Sequence, residues 1–480
     1  MYLDGAWCEA SDNATMPVVN PATGKVVAYV PMATASDVDR AVLAAEKGWL
    51  AWRQTDPWSR SGILRKVAEL LQERETELAA ILTEEQGKPM RESIVELRGT
   101  WQQFDWFADE ARRVSGERIG TSDGNHSALV VREAIGPVAA FSPWNFPALL
   151  PSRKLAPALA AGCSIILKPA DETPRTALAL ASACHDAGVP PGVVNVITGH
   201  APLISERLLG SPVIRKVTLT GSVPVGRRLL EMAAANIIDA TMELGGHAPV
   251  IVLPGVDPVA VAAACVAAKY RNAGQVCVSP TRFYVHEQDY PGFCDAFVEA
   301  TAELKVGDGS DPSVDVGPLA NSRRPAALAS LIDEAVEKGA RIAIGGGPAD
   351  SKPGYFFAPT VLVDVPESAR IMQEEPFGPV ALLTSYSDSS DVIARANGTP
   401  FGLAAYVVAT DPWAAQEVAS HLDAGMVGIN HFALSYAGVP FGGVKSSGIG
   451  TESGSSAMDA FLTYKSIHHR QYAFGSPSAR

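Results

Sequence analysis

The chain reads as an α/β protein of two lobes in series with a small separate sheet, and three features of the sequence lead there. Apolar runs rich in β-branched residues alternate with alanine-rich helical patterns through the first half. A second alternation of the same kind follows Cys277. A polar, turn-rich stretch from Val114 to Arg132 and an extended C-terminal segment fit neither series.

In the first series the strand candidates are "GPVAAFSP", "GCSIILKPA", "GVVNVITG", "IRKVTLTGS" and "APVIVLPG", set among helices such as Thr176 to Ala187. Alternation of this kind means parallel strands with crossover helices. In the second, "TRFYVHE", "ARIAIGGG", "FFAPTVLVDVP", "PVALLTSYS" and "AGMVGIN" are separated by helical patterns, one of them around Leu328 to Lys338. The outlying pieces are "VSGERIGTSDGNHSALVVR" and the tail "FLTYKSIHHRQYAF", which are expected to pair into a sheet of their own. Gly/Pro clusters read as turns rather than linkers, and no repeat of solenoid length is visible.

A length of 480 residues is too great for one simple core, so two or three lobes are expected. With 47% hydrophobic and 19% charged residues the composition is that of an ordinary globular protein. The formal net charge of −13, without a Lys/Arg run or basic stripe, offers no footprint for nucleic acid or an anionic membrane. The longest apolar run, Leu155 to Leu167, is too short to span a bilayer. The acidic start "MYLDGAWCEA" lacks the basic and greasy regions of a secretory signal, so the chain is read as cytoplasmic. Six cysteines at irregular spacings imply neither a disulfide framework nor a zinc site. Small molecules and protein neighbours are the expected partners, and no metal is expected.

Several short stretches carry chemistry. In "VTLTGSVPVGRRLL" a strand turns at Gly221-Ser222 into a helix, so amides and a helix N-terminus face whatever lies above, an arrangement that favours a phosphate. It also serves as a plain tight turn. "ILKPADETP" ends a strand at Lys168 with Asp171 one turn on. A ribose could use both, the carboxylate accepting from a 2′-hydroxyl and opposing a 2′-phosphate; equally, Asp171 or Thr173 could cap the next helix. In "FSPWNFP" prolines and aromatics hem in Asn145, whose amide is placed either for a developing oxyanion or for loop carbonyls. "ATMELGGHAP" puts Glu243 before a glycine pair, where desolvation would make it a better base and a salt bridge would make it structural. Cys277 follows in "YRNAGQVCVSP", with Gly274 giving room for close approach. The segment is read as opening a helix whose amides would lower the thiol pKa, although a lone cysteine is often structural.

Together "SPWNFP", "LKPADETP", "TGSVPVG", "MELGGHAP", "NAGQVC", "EEPFGP" and "PFGGVKSSG" occur in the order and spacing of the aldehyde dehydrogenase superfamily, which the chain resembles over nearly its whole length. The resemblance implies a Rossmann-like cofactor domain over 1–113 and 133–246 and an α/β catalytic domain over 247–445. It also implies a small β oligomerisation segment from 114–132 and 460–475, building homodimers or homotetramers. It makes Cys277 the nucleophile toward an aldehyde, with Asn145 and the Cys277 N–H holding the oxyanion and Glu243 activating water. Lys168 and Glu375 would hold the two cofactor riboses and Gly221, Ser222 and Gly226 the pyrophosphate. Ser142, Pro143, Trp144, Asp171 and Leu244 would line the cofactor site, and Phe377 would back the nicotinamide. The expected cofactor is NAD, with NADP possible. Val223-Pro224 and His247 depart from the common pattern and leave that preference less certain.

Within the superfamily the chain is most similar to succinate-semialdehyde and 2-oxoglutarate-semialdehyde dehydrogenases, sharing "RKLAPALAAGCS", "RNAGQVCVSPTRFYV" and "GMVGIN". That similarity implies that Arg153, Arg271 and Ser435 hold a distal carboxylate; Arg271 also neighbours the Cys277 loop in the chain, so its loss could disturb the nucleophile. Either arginine could instead brace the fold. Ser279 stands where some relatives place a second cysteine, so no disulfide switch is expected there. A CoA-acylating relative would hand its acyl group to another nucleophile, and a non-catalytic member would be expected to lack Cys277, Glu243 or Asn145; all three are present.

Overall fold

The computed structural model describes residues 1–122, 126–349 and 353–470. Its first sheet has parallel strands in the spatial order Asp239–Glu243, Lys216–Thr220, Val138–Phe141, Ile165–Lys168 and Val194–Val196, extended antiparallel by Gly448–Ile449 at one side and by Tyr2–Leu3 and then Ala6–Trp7 at the other. These strands are buried on both faces, which is why they read as uninterrupted apolar runs. Alternate residues serve opposite cores. Val138, Ala140, Ile165 and Leu167 face helices that include Pro57–Glu73 and Met90–Glu110, while Ala139, Phe141, Ile166 and Leu219 face the other layer.

From Val138–Phe141 the chain builds outward to Val194–Val196, then returns to lay Lys216–Thr220 and Asp239–Glu243 on the opposite side. The gap between Val138–Phe141 and Lys216–Thr220 is thus the topological switch point, where open α/β sheets bind ligands beyond their strand C-termini. Ser142 to Asn145 and Gly221-Ser222 leave the sheet at that point.

The second sheet runs Arg341–Ile344, Thr360–Val363, Val380–Tyr386, Pro280–His286, Ala248–Val252, Ala404–Val408 and Met426–Ile429, parallel except at Arg341–Ile344. Ala404–Val408 was not anticipated from the sequence. Glu243 ends the last strand of the first sheet, and after Leu244 to His247 the chain enters the second, so the C-terminal edge of one sheet faces the N-terminal edge of the other. The third sheet is the small one expected: Leu462–Arg470, His126–Ala134 and Glu117–Gly120, all antiparallel. Residues 471–475 of the expected tail lie outside those described. All six cysteines carry free thiols. Among the described residues no helix is long and apolar enough to cross a membrane, and no cluster of acidic, His or Cys side chains could hold a metal ion.

Candidate active site

The Cys277 loop is delivered by helix Pro258–Tyr270, whose start is fixed by the Asp257 side chain accepting from the Val259 N–H at 3.0 Å and by Pro258 in its first turn. After Tyr270 three successive residues turn left-handed: Asn272, Ala273 and Gly274, with φ of 50°, 52° and 69°. For Ala273 such a conformation is costly and marks a functional loop. Gly274 is required twice over, since a Cβ there would meet the Gly378 carbonyl oxygen at 2.1 Å. The helix expected at Cys277 does not exist; the chain passes directly into strand Pro280–His286. No helix N-terminus therefore lowers the thiol pKa, and burial pushes it up to about 12, aided by Glu375 and opposed by Arg153.

Asn145 is buried, and its side-chain amide donates to the Gln275 carbonyl at 3.0 Å. The loop-carbonyl role is thus real, but it uses only one of the two amide hydrogens. Glu243 is buried with neither carboxylate oxygen partnered among the described residues, so the salt-bridge alternative does not hold. Burial and then the charge of Glu452 hold its pKa well above the usual carboxylate range, with Lys154 and Arg153 opposing. The glycine pair behind Glu243 allows the close approach expected of it: a Cβ on Gly246 would lie 2.4 Å from the Cys277 carbonyl oxygen.

Two cavities meet at this point. One, of about 550 Å³, occupies the switch-point crevice and is lined by Pro143, Trp144, Gly221, Ser222, Glu375 and Phe377, among others. Trp144 and Phe377 meet edge to face at 5.4 Å, one ring from each lobe. The residues fit a dinucleotide. Helix Val223–Ala234 points its first-turn amides at the crevice, with Pro224 sitting harmlessly in its first turn. The Ser142 hydroxyl is buried and has no partner among the described residues, and burial raises the Glu375 carboxyl to about 8 while it accepts from the Gly246 N–H. Leu244 also lines the crevice, and Gly226 packs against it so closely that a Cβ would fall 2.7 Å from a Leu244 methyl. Lys168 and Asp171 do not line the cavity directly; they form an ion pair at the adjoining strand end. Neither Asp171 nor Thr173 caps helix Pro174–Asp186. That role falls to the buried Glu85, which accepts from the Arg175 and Thr176 N–H groups at 2.9 and 2.8 Å. His247 lies in the core, bonded to Thr281 and to the Ile371 carbonyl, and away from the crevice.

The second cavity, of about 320 Å³, is lined by Phe146, Leu150, Arg153, Arg271, Ser435 and Phe441, among others. Arg153 is buried, donates to the Ser435 hydroxyl at 2.5 Å and lies 4.0 Å from the centre of the Phe441 ring. Its Nε has no partner among the described residues. Arg271 is exposed and stacks over Phe146 at 5.7 Å. Arg153 is the arginine whose charge reaches both Cys277 and Glu243, and Arg271 stands at the solvent side. Among the described residues Cys277 alone lines both cavities.

Two groups near Glu243 had not been singled out. Lys154, wholly buried, pairs with Glu452 and donates to the Thr220 hydroxyl at 2.8 Å. A lysine directly before the apolar run Leu155 to Leu167 was a readable signal for the first; Glu452, in "GTESG", gave none.

A dinucleotide crevice that shares a single thiol with a second cavity, lined by three arginines as well as Glu92 and Glu96, defines a class of protein: an oxidoreductase acting on a small carbonyl compound. The chain belongs to the aldehyde dehydrogenase family, whose model matches residues 7–467. It is 41% identical to a glutarate-semialdehyde dehydrogenase of Pseudomonas putida over 97% of this chain and 96% of that one. It is 42% identical to the NADP(+) succinate-semialdehyde dehydrogenase GabD of Escherichia coli over 96% of each. The solved betaine aldehyde dehydrogenase of Staphylococcus aureus in complex with NAD+ superposes with a TM-score of 0.96 at 32% identity, covering 100% of this chain and 96% of that one. The protein is therefore an NAD(P)-dependent aldehyde dehydrogenase.

Proposed function

We propose that the protein oxidises a carboxylate-bearing semialdehyde, of which succinate semialdehyde is the leading candidate, with NAD as the preferred cofactor. The observation that carries this reading is the placement of Cys277 as the common wall of the cofactor crevice and the cavity that holds Arg153 and Arg271. Cys277, as thiolate, attacks the aldehyde carbon. The resulting thiohemiacetal oxyanion accepts from the free hydrogen of the Asn145 amide and from the Cys277 backbone N–H. Bound NAD supplies the hydride acceptor at C4 of its nicotinamide. Glu243 then takes a proton from the water that hydrolyses the thioester, a task for which a desolvated, unpaired carboxylate is suited.

Lys168 and Glu375 would hold the riboses, Gly221, Ser222 and Gly226 the pyrophosphate, and Phe377 with Trp144 the nicotinamide. Asp171, half exposed beside Lys168, would accept from a free 2′-hydroxyl and repel a 2′-phosphate.

Arg153, Arg271 and Ser435 hold the distal carboxylate. The similarity to a glutarate-semialdehyde dehydrogenase supports the next longer chain as a second substrate, because Arg271 stands at the open side of the cavity. The test is kcat/KM for succinate semialdehyde, glutarate semialdehyde and butanal in wild type and in Arg271→Ala. A charge-assisted hydrogen bond to carboxylate contributes about 1.5–3 kcal/mol, so losing one costs the semialdehydes about ten- to a hundredfold and leaves butanal almost unchanged. A wild-type preference near unity, or an equal loss on all three substrates, refutes the carboxylate clamp and leaves a general aldehyde dehydrogenase.

A further inference from the structure

The segment Gln86 to Glu96 joins the end of helix Glu75–Gln86 to the start of helix Met90–Glu110, and it touches both loops of the candidate active site. On one side the Lys88 ammonium donates to the Asn145 main-chain carbonyl at 2.7 Å and pairs with Glu96 at 2.5 Å. Glu96 in turn accepts from the Ala148 and Leu149 N–H groups at 2.8 and 3.2 Å, and Lys88 lies 4.0 Å from the centre of the Phe146 ring. On the other side Gln86 donates to the Asn272 side chain at 2.9 Å, and Glu92 accepts from the Asn272 N–H at 2.8 Å. Asn272 closes the bracket by donating to that same Asn145 carbonyl at 2.9 Å.

Lys88 and Glu96 side chains are both 0% exposed. A buried ion pair of this kind adds little stability over an apolar pair of equal volume, because desolvating two charges offsets their attraction. What it does supply is geometry: an ammonium held by a carboxylate and a carbonyl has few other places to go. The Asn145 carbonyl is thereby pinned from two directions, and the side chain on the same residue points its remaining N–H from a fixed base. Donors that stabilise an oxyanion work by being preorganised, and small misplacements are expensive.

We propose that Lys88, paired with Glu96, is a positioning residue for the reaction: it holds the Asn145 loop against the Cys277 loop so that the Asn145 amide meets the developing oxyanion. The proposal rests on the roles given above to Asn145 and Cys277. It predicts that Lys88→Met lowers kcat about ten- to a hundredfold, since removing an oxyanion donor outright costs about a hundred- to a thousandfold. NADH affinity, read by its fluorescence, and the KM for the aldehyde should stay within about twofold. Hydride transfer becomes limiting, so the first-turnover burst of NADH disappears and a primary isotope effect appears with C1-deuterated aldehyde.

A lone buried carboxylate in Lys88→Met is avoided in the neutral Lys88→Met/Glu96→Gln variant, which should behave alike. The deciding measurement is a cycle with Asn145→Ala. If Lys88 acts through Asn145, adding Lys88→Met to Asn145→Ala changes kcat by less than about twofold. A loss that persists in that background, or a loss of NADH affinity parallel to kcat, overturns the proposal in favour of a general structural role. Turnover that survives Cys277→Ser, or a wild type that does not bind NADH, would instead overturn the reading of the site itself.

Discussion

Cys277 sits where burial opposes the chemistry asked of it. With the free thiol pushed up to about 12, the thiolate is a minor species near neutral pH. Alkylation of the free enzyme by iodoacetamide should therefore quicken about tenfold per pH unit between about pH 7 and 10, because the thiolate fraction does so well below the pKa. A plateau by about pH 8 would mean that the Arg153 charge outweighs burial at the thiol. Cys277→Ser should abolish turnover while NADH still binds, a hydroxyl being a far weaker nucleophile. Glu243 meets the same constraint. Its raised pKa keeps it protonated further up the pH scale, and only the ionised form can take a proton from water. Steady-state turnover should thus climb as pH rises through that pKa. Glu243→Gln should lose this limb and most of its steady-state rate, yet keep the first-turnover burst of NADH, as rapid mixing would show. Loss of the burst with cofactor still bound would move Glu243 to the first chemical step.

At the level of elements, the proposed preference for NAD rests on the strand end Ile165–Lys168. The Lys168–Asp171 pair fixes a carboxylate at the adjoining edge of the crevice, and Glu85, not Asp171, caps the helix that follows. Asp171→Ser should raise kcat/KM for NADP relative to NAD by about tenfold or more, since removing one opposing charge is worth at least about 1.4 kcal/mol. An unchanged ratio would mean that Asp171 does not face the ribose. The elements themselves were legible to the extent that their sequence signal is local. Strands buried on both faces announce themselves as apolar runs, and Pro/Gly turns mark where they stop. What failed to show was decided at a distance. The Cys277 segment looked like a helix start because nothing in its own residues reveals that Gly274 must pass under the Gly378 carbonyl. The cap of Pro174–Asp186 comes from Glu85, and the partner of Lys154 is Glu452, 298 residues away. Lys88 and Glu96 lie only eight residues apart, but their purpose appears only once Asn145 is folded against them.

For the whole molecule the unsettled surface is the small sheet. Strands Leu462–Arg470 and Glu117–Gly120 form its two edges, and an exposed edge is a template for another chain. Apart from Leu462, every residue of Leu462–Arg470 is exposed in the single chain, with Tyr464 at 72% and Ile467 at 39%; on the neighbouring strands Ile119 is exposed at 47%. A three-stranded ribbon with so much apolar surface in water is poorly stabilised by itself, and pairing with a second copy would cover both the edge and the side chains. Neither catalytic loop draws a residue from this sheet, so assembly and chemistry should separate. Sedimentation at micromolar concentration should show dimers or tetramers and no monomer. Placing charge in the ribbon, as in Tyr464→Glu with Ile467→Glu, should shift the population toward monomer and lower the melting temperature, while the dissociation constant for NADH stays within about threefold. The direction of the first measurement decides the matter: a stable, active wild-type monomer would rule out the ribbon as an interface and leave the roles of Cys277, Glu243 and Asn145 untouched.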